Sequence, residues 1–106
     1  MHLVTSLQTD IWPKRIAVGL LVLLLSSCAA MPPVQEMSDA RQAIKAAHEA
    51  QAEQYAPQKL RSAEDSMELA TRTLEQGEYE AARMAATVAK ALAIKARDAA
   101  VAAASR

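Results

Sequence analysis

The sequence predicts an all-α protein: an antiparallel helical hairpin with a shorter preceding helix, set behind a cleaved N-terminal export signal. Three observations lead there. Apolar residues recur at alternating spacings of three and four along two long stretches. Gly77 separates those stretches, and Pro57 interrupts the pattern before the first of them. The chain has 106 residues, enough for one domain. Alanine dominates its apolar fraction, there is no Phe, and the single Trp (Trp12) lies in the N-terminal segment. Burial is worth about 0.8 kcal/mol per CH₂, so an alanine-lined seam contributes little per contact. What alanine offers instead is close approach of the helices.

The N-terminal segment comes first. Lys14 and Arg15 precede Ile16 to Leu25, an unbroken apolar run of ten residues. A bilayer-spanning helix needs about 20 residues, whereas ten suit the apolar region of a secretory signal. Leu25-Ser26-Ser27-Cys28 follows: an aliphatic residue, two small residues, then the only cysteine. This element resembles the lipobox of bacterial lipoproteins. Small side chains at Ser26 and Ser27 let an extended chain enter a narrow protease site.

The resemblance implies that residues 1–27 are a lipoprotein signal peptide. It further implies that the Cys28 thiol takes up a diacylglyceryl group before cleavage and that its freed amine is then acylated. Stable anchoring takes about two acyl chains, which such a modification supplies. A lone cysteine also excludes an intramolecular disulfide. Ala29 stands where many inner-membrane lipoproteins carry Asp, so the resemblance favours the outer membrane, with the protein facing the periplasm.

Residues 28–37 read as the lipidated cysteine and a tether, stiffened by Pro32 and Pro33. The first helix is expected from Ser38 to Tyr55, with Ser38 or Asp39 as N-cap. Ala43, Ala47, Ala50 and Gln54 form its stripe, with Ile44 beside it. Pro57 suits the first turn of a second helix, where no intrahelical donor is lost. Leu60, Ala63, Met67, Ala70 and Leu74 then line one face. Gln76-Gly77 ends that helix, because glycine readily takes the left-handed conformation that closes one. The third helix begins near Glu78-Tyr79, with Tyr79, Ala82, Ala86, Ala89, Ala93, Ala96, Ala100 and Ala103 on its stripe and Val88 and Leu92 widening it. Unbroken to Arg106, it is about 42 Å long, and the short break at Gly77 makes it an antiparallel neighbour of the second helix.

Several pieces of this region carry a second resemblance: Asp39-Ala40-Arg41, Ala43-Ile44, Tyr55-Ala56-Pro57, Leu60 and Ala63-Glu64, then Gln76-Gly77-Glu78-Tyr79, Ala82-Arg83 and the later alanines. Together they resemble the DUF4398 family, a domain of unknown function found in bacterial envelope lipoproteins. Tyr55-Ala56-Pro57 is the most specific piece, and the DUF4398-like helical domain is placed at residues 38–106. Gly77 to Ala82 is also similar to the turn and second helix of a tetratricopeptide repeat. A single hairpin makes no array, since helical repeats need about three units to bury a core.

Twelve basic and twelve acidic residues balance, giving no electrostatic case for nucleic acid. Arg83, Lys90, Lys95, Arg97 and Arg106 make the third helix locally basic, which reads as a solvated face. His48 with Glu49 and Glu53 falls short of a metal site, which takes three or four converging ligands; no cofactor is expected and His48 reads as solvent-facing. Glu64, Asp65 and Glu68 read as a solvated face with the helix pairs Glu68–Arg72 and Arg61–Asp65. Tyr55 and Tyr79 flank predicted junctions and suit packing between segments; as an alternative they line one groove for a peptide or glycan. Met67 and Met84 read as core fillers.

No Gly-rich loop, nucleophile–base pair or ligand cluster stands out, so no catalytic residue is assigned. The leading expectation is a non-enzymatic, outer-membrane-anchored periplasmic scaffold or adaptor. Its membrane partner is reached through the lipid, and its alanine-rich face binds an envelope protein or a second copy. The alternative is an alanine-rich coiled-coil spacer resembling murein lipoproteins. Pro57 and Gly77 argue against one continuous rod, and the sequence closes on Ser105-Arg106 rather than on the lysine by which such proteins join peptidoglycan. A small-ligand or metal-binding protein is the remaining reading.

Overall fold

The computed structural model of the protein describes residues 31–106. The signal peptide of residues 1–27 and the lipobox residues Leu25, Ser26, Ser27 and Cys28 lie outside the described residues. Residues 32–106 form one compact unit. It contains four helices: α1 (Val34–Glu49), α2 (Ala52–Tyr55), α3 (Pro57–Glu75) and α4 (Tyr79–Ala104).

The chain starts its first helix earlier than the sequence suggests. Pro33 sits at the N-cap and its carbonyl accepts the first intrahelical bond, from the Met37 N–H at 3.1 Å. The proline pair therefore launches the helix instead of merely stiffening a tether. Proline has no donor to lose there, and its φ is already near the helical value. Ser38 and Asp39 are interior residues of α1, not caps. What draws this extra turn in is apolar: Met37 and Ala40 are buried.

The first helix also stops sooner. At Ala50–Gln51 the backbone turns, with Gln51 left-handed at φ 62° and ψ 38°, and its N–H returns to the His48 carbonyl at 2.9 Å. The chain then makes the single turn α2, whose Ala52 and the following Ala56 are buried. Gln54, expected on the inward stripe, is exposed. The inward face of α1 is Met37, Ala40 and Ala47, with Ile44 half-buried.

Pro57 opens α3 as its first residue. Leu60, Ala63 and Ala70 are buried, and Met67 and Leu74 pack half-buried on the core. The helix closes in a two-bond turn: the Gly77 N–H bonds to the Leu74 carbonyl at 3.0 Å, and the Glu78 N–H to the Thr73 carbonyl at 2.9 Å. Gly77 has φ +78°, the left-handed step this closure requires.

The fold turns on α4, against which the other three helices pack, α3 most extensively. Ala82, Ala86, Ala89, Ala93, Ala96 and Ala100 have no exposed surface. Ala85 flanks them in the core, whereas Val88, expected there, is half-exposed. Two clusters make up the interior. In one, Met37 and Ala40 of α1 meet Ala70 of α3 and Ala85, Ala86 and Ala89 of α4. In the other, Ala47, Ala52, Ala56 and Leu60 meet Ala96 and Ala100. Ascending residue numbers in α1 thus match ascending numbers in α4, while those in α3 descend. So α1 lies parallel to α4, and α3 runs antiparallel to both. The predicted hairpin is α3–α4, and the shorter preceding helix docks along it.

Candidate functional site

His48, one residue before the end of α1, has both ring nitrogens engaged. Nδ1 lies 2.8 Å from the Glu53 carboxylate in α2, and Nε2 lies 2.8 Å from that of Glu64 in α3. The break at Gln51 folds α2 back so that Glu53 comes to one side of the ring. The antiparallel α3 brings Glu64, two turns in from its start, to the other. His48 is exposed, as expected, and it also links three helices. The expected companion Glu49 takes no part, and Glu64 is the member that sequence spacing could not reveal. The two carboxylates approach opposite edges of the imidazole, so they do not converge on a point where a cation could sit. Among the described residues, no group of three His, Cys, Asp or Glu side chains is placed to hold a metal.

The carboxylates Glu64, Asp65 and Glu68 are exposed and take separate paths. Glu64 meets His48, Glu68 accepts from Arg72 at 2.8 Å, and Asp65 makes no ion pair with Arg61 among the described residues. The first pair is the i,i+4 arrangement expected; the second does not form. No two of the three are brought together for acid–base work.

The basic face of α4 is solvated as expected, with Arg83 alone half-buried. Arg83, Lys90 and Arg97 recur every seven residues, and the first two reach across to α1. Arg83 Nε donates to Glu36 at 3.2 Å, and Lys90 Nζ lies 3.7 Å from Asp39. At the next level α1 presents Ala43 and Ala46, and Arg97 pairs with its neighbour Asp98 at 3.1 Å. The groove there is shallow, about 280 Å³, and is also lined by Gln42 and Ile94.

Tyr55 and Tyr79 do flank junctions, at the end of α2 and the start of α4. They cannot line one groove. Tyr55 borders a notch of about 360 Å³ with Pro57, Lys59 and Ala99. Ala99 is twenty residues along α4 from Tyr79, about 30 Å at helical rise. Met84, expected in the core, is 63% exposed, and Val88 one turn later is 50% exposed. These two stand on the side of α4 away from the alanine ladder. No helix among the described residues is long and apolar enough to cross a membrane.

Fold and side-chain arrangement together define a small four-helix domain closed by an alanine seam, with polar clusters between its helices. The family model for DUF4398, a domain of unknown function, matches residues 35–106, and the chain belongs to that family. No curated protein and no solved structure matches it. The Tyr55-Ala56-Pro57 element falls on the α2–α3 joint, and Gln76-Gly77-Glu78-Tyr79 on the α3–α4 turn.

Proposed function

We propose that this protein is an outer-membrane-anchored periplasmic lipoprotein whose helical domain is a non-enzymatic scaffold or adaptor in the cell envelope. The anchor is Cys28, following Leu25-Ser26-Ser27 in a lipobox-like element behind a ten-residue apolar run. Ala29 after the cysteine favours outer-membrane sorting. The alanine-rich face, first assigned to partner binding, is consumed inside the bundle. Partner binding therefore falls to the outer side of α4, and the exposure of Met84 and Val88 there is the observation that carries the adaptor reading. Apolar side chains left outside a filled core are the usual mark of a contact surface when they cluster. A continuous rod suits this chain poorly, because it reverses direction between α3 and α4.

The test is intact mass of the full chain recovered from membranes, beside a Cys28→Ala variant, with a photo-crosslinking residue placed at Val88. Loss of residues 1–27, added acyl mass absent from the variant, and a discrete crosslinked envelope protein are expected. An unmodified mass retaining residues 1–27 overturns the anchor. A crosslinker at position 88 that captures nothing in the intact envelope overturns the adaptor role.

A further inference from the structure

We propose that His48 is a pH-sensitive clasp that fastens the α1–α2 joint to the start of α3. The geometry carries this. A carboxylate offers only acceptors, so a ring with a glutamate at 2.8 Å on each nitrogen must donate from both. Only the protonated imidazolium has two N–H groups; the neutral ring has one, and whichever tautomer it adopts, one glutamate then faces a bare nitrogen lone pair.

The surrounding charges are mixed, and among the described residues only anionic groups touch the ring. Glu53 approaches from α2 and Glu64 from α3. On α1 itself the neighbours are Lys45 and Glu49, and on α3 Arg61 lines a notch with Glu53 and Glu64. On α4, Arg97 and Asp98 are spent on each other. The two groups in contact with the ring are thus both anionic.

What the clasp holds is the shortest helix of the fold. α2 is a single turn with no side-chain cap at its start, entered through the left-handed Gln51. Apart from the clasp it is held by Ala52 and Ala56 in the core. The clasp is closed while the ring carries both protons; when the ring gives one up, one arm loses its hydrogen bond and its charge attraction together. α2 then loosens, uncovering Ala52, Ala56 and Leu60.

The test is amide hydrogen exchange on the full-length protein at about pH 5.5 and about pH 8, with rates converted to protection factors to remove the intrinsic pH effect. In the wild type, the Tyr55 and Ala56 amides should lose protection several-fold at the higher pH, while Ala89 and Ala93 in the middle of α4 do not. In His48→Gln, whose amide cannot gain a proton, the joint should show the lower protection at both pH values. Constant wild-type protection at the joint relative to α4 overturns the clasp. So does a His48→Gln variant that keeps the wild-type pH profile.

Discussion

Glu36, in the first turn of α1, accepts a hydrogen bond at 3.2 Å from Arg83, in the second turn of α4, 47 positions further along the chain. Both side chains are about one-third exposed. This contact, with Lys90 and Asp39 a level below, sets the register in which α1 lies along α4. Alanine surfaces are smooth and alike from turn to turn, so the seam itself specifies register weakly. Charged pairs at fixed heights supply what the seam lacks.

A double-mutant cycle on Glu36→Gln and Arg83→Gln should therefore give a coupling of about 0.5 kcal/mol, in the range of partly exposed ion pairs. The coupling should shrink as salt is raised from low to molar concentration. Urea denaturation of the four proteins measures it, and a coupling indistinguishable from zero at low salt would remove the pair from the account of register.

Met37 fills one interior cluster and Leu60 the other, each among alanines. Met37→Ala should cost about 2–5 kcal/mol. Domains of this kind have total stabilities of about 5–15 kcal/mol, so the loss should be plain as a large drop in the urea midpoint. Leu60→Ala should behave alike. The exposed Val34→Ala, at the start of the same helix as Met37, should stay within about 0.5 kcal/mol of wild type.

Overpacking is the converse test. Ala89 has no exposed surface and Ala91 is exposed on the same helix. Ala89→Leu should destabilise by about 1–3 kcal/mol or more as α4 is pushed from α1 and α3. Ala91→Leu should change stability by no more than about 0.5 kcal/mol. Thermal melts of the two variants compare directly, and equal shifts would mean that α4 is not the tightly enclosed helix described.

The two left-handed residues should respond with opposite signs. A Cβ at Gly77 meets nothing within 4 Å, so Gly77→Ala tests backbone conformation alone and should cost about 1 kcal/mol. Gln51 holds a similar conformation with a side chain attached, at φ 62°. Gln51→Gly should therefore stabilise the protein by up to about 1 kcal/mol. Chemical denaturation of both variants reads the signs, and a stabilised Gly77→Ala would contradict the turn geometry.

The hairpin was legible in the sequence because its signals are chemical. Pro57 and Gly77 mark the ends of α3, and the three-four stepping of Leu60 to Leu74 and of Ala82 to Ala100 names the buried faces. The ends of α1 were not legible, for two different reasons. Pro32-Pro33 carries equal meaning as a stiff tether and as a helix start, and burial of Met37 is what decides. The break at Gln51 has no glycine or proline to announce it; tertiary packing of Ala52 and Ala56 imposes it. Met84 and Val88 were misplaced because a helix with apolar residues on several sides leaves its inner face ambiguous, and the alanine ladder wins only through closeness of approach. For the candidate site, His48 and Glu53 are near in sequence, but Glu64 reaches the ring only because the chain reverses between α1 and α3.

The alanine seam also bears on how this fold can change over time. A core of large side chains can trade volume between neighbours, one residue shrinking as another grows. Here Ala82, Ala86, Ala89, Ala93, Ala96 and Ala100 are at zero exposure and are already near the smallest side chain available. Almost nothing can shrink to make room, so drift at those six positions is confined to glycine and serine. Change is left to the solvent side of α4, where side chains such as Ala91 and Lys95 are exposed.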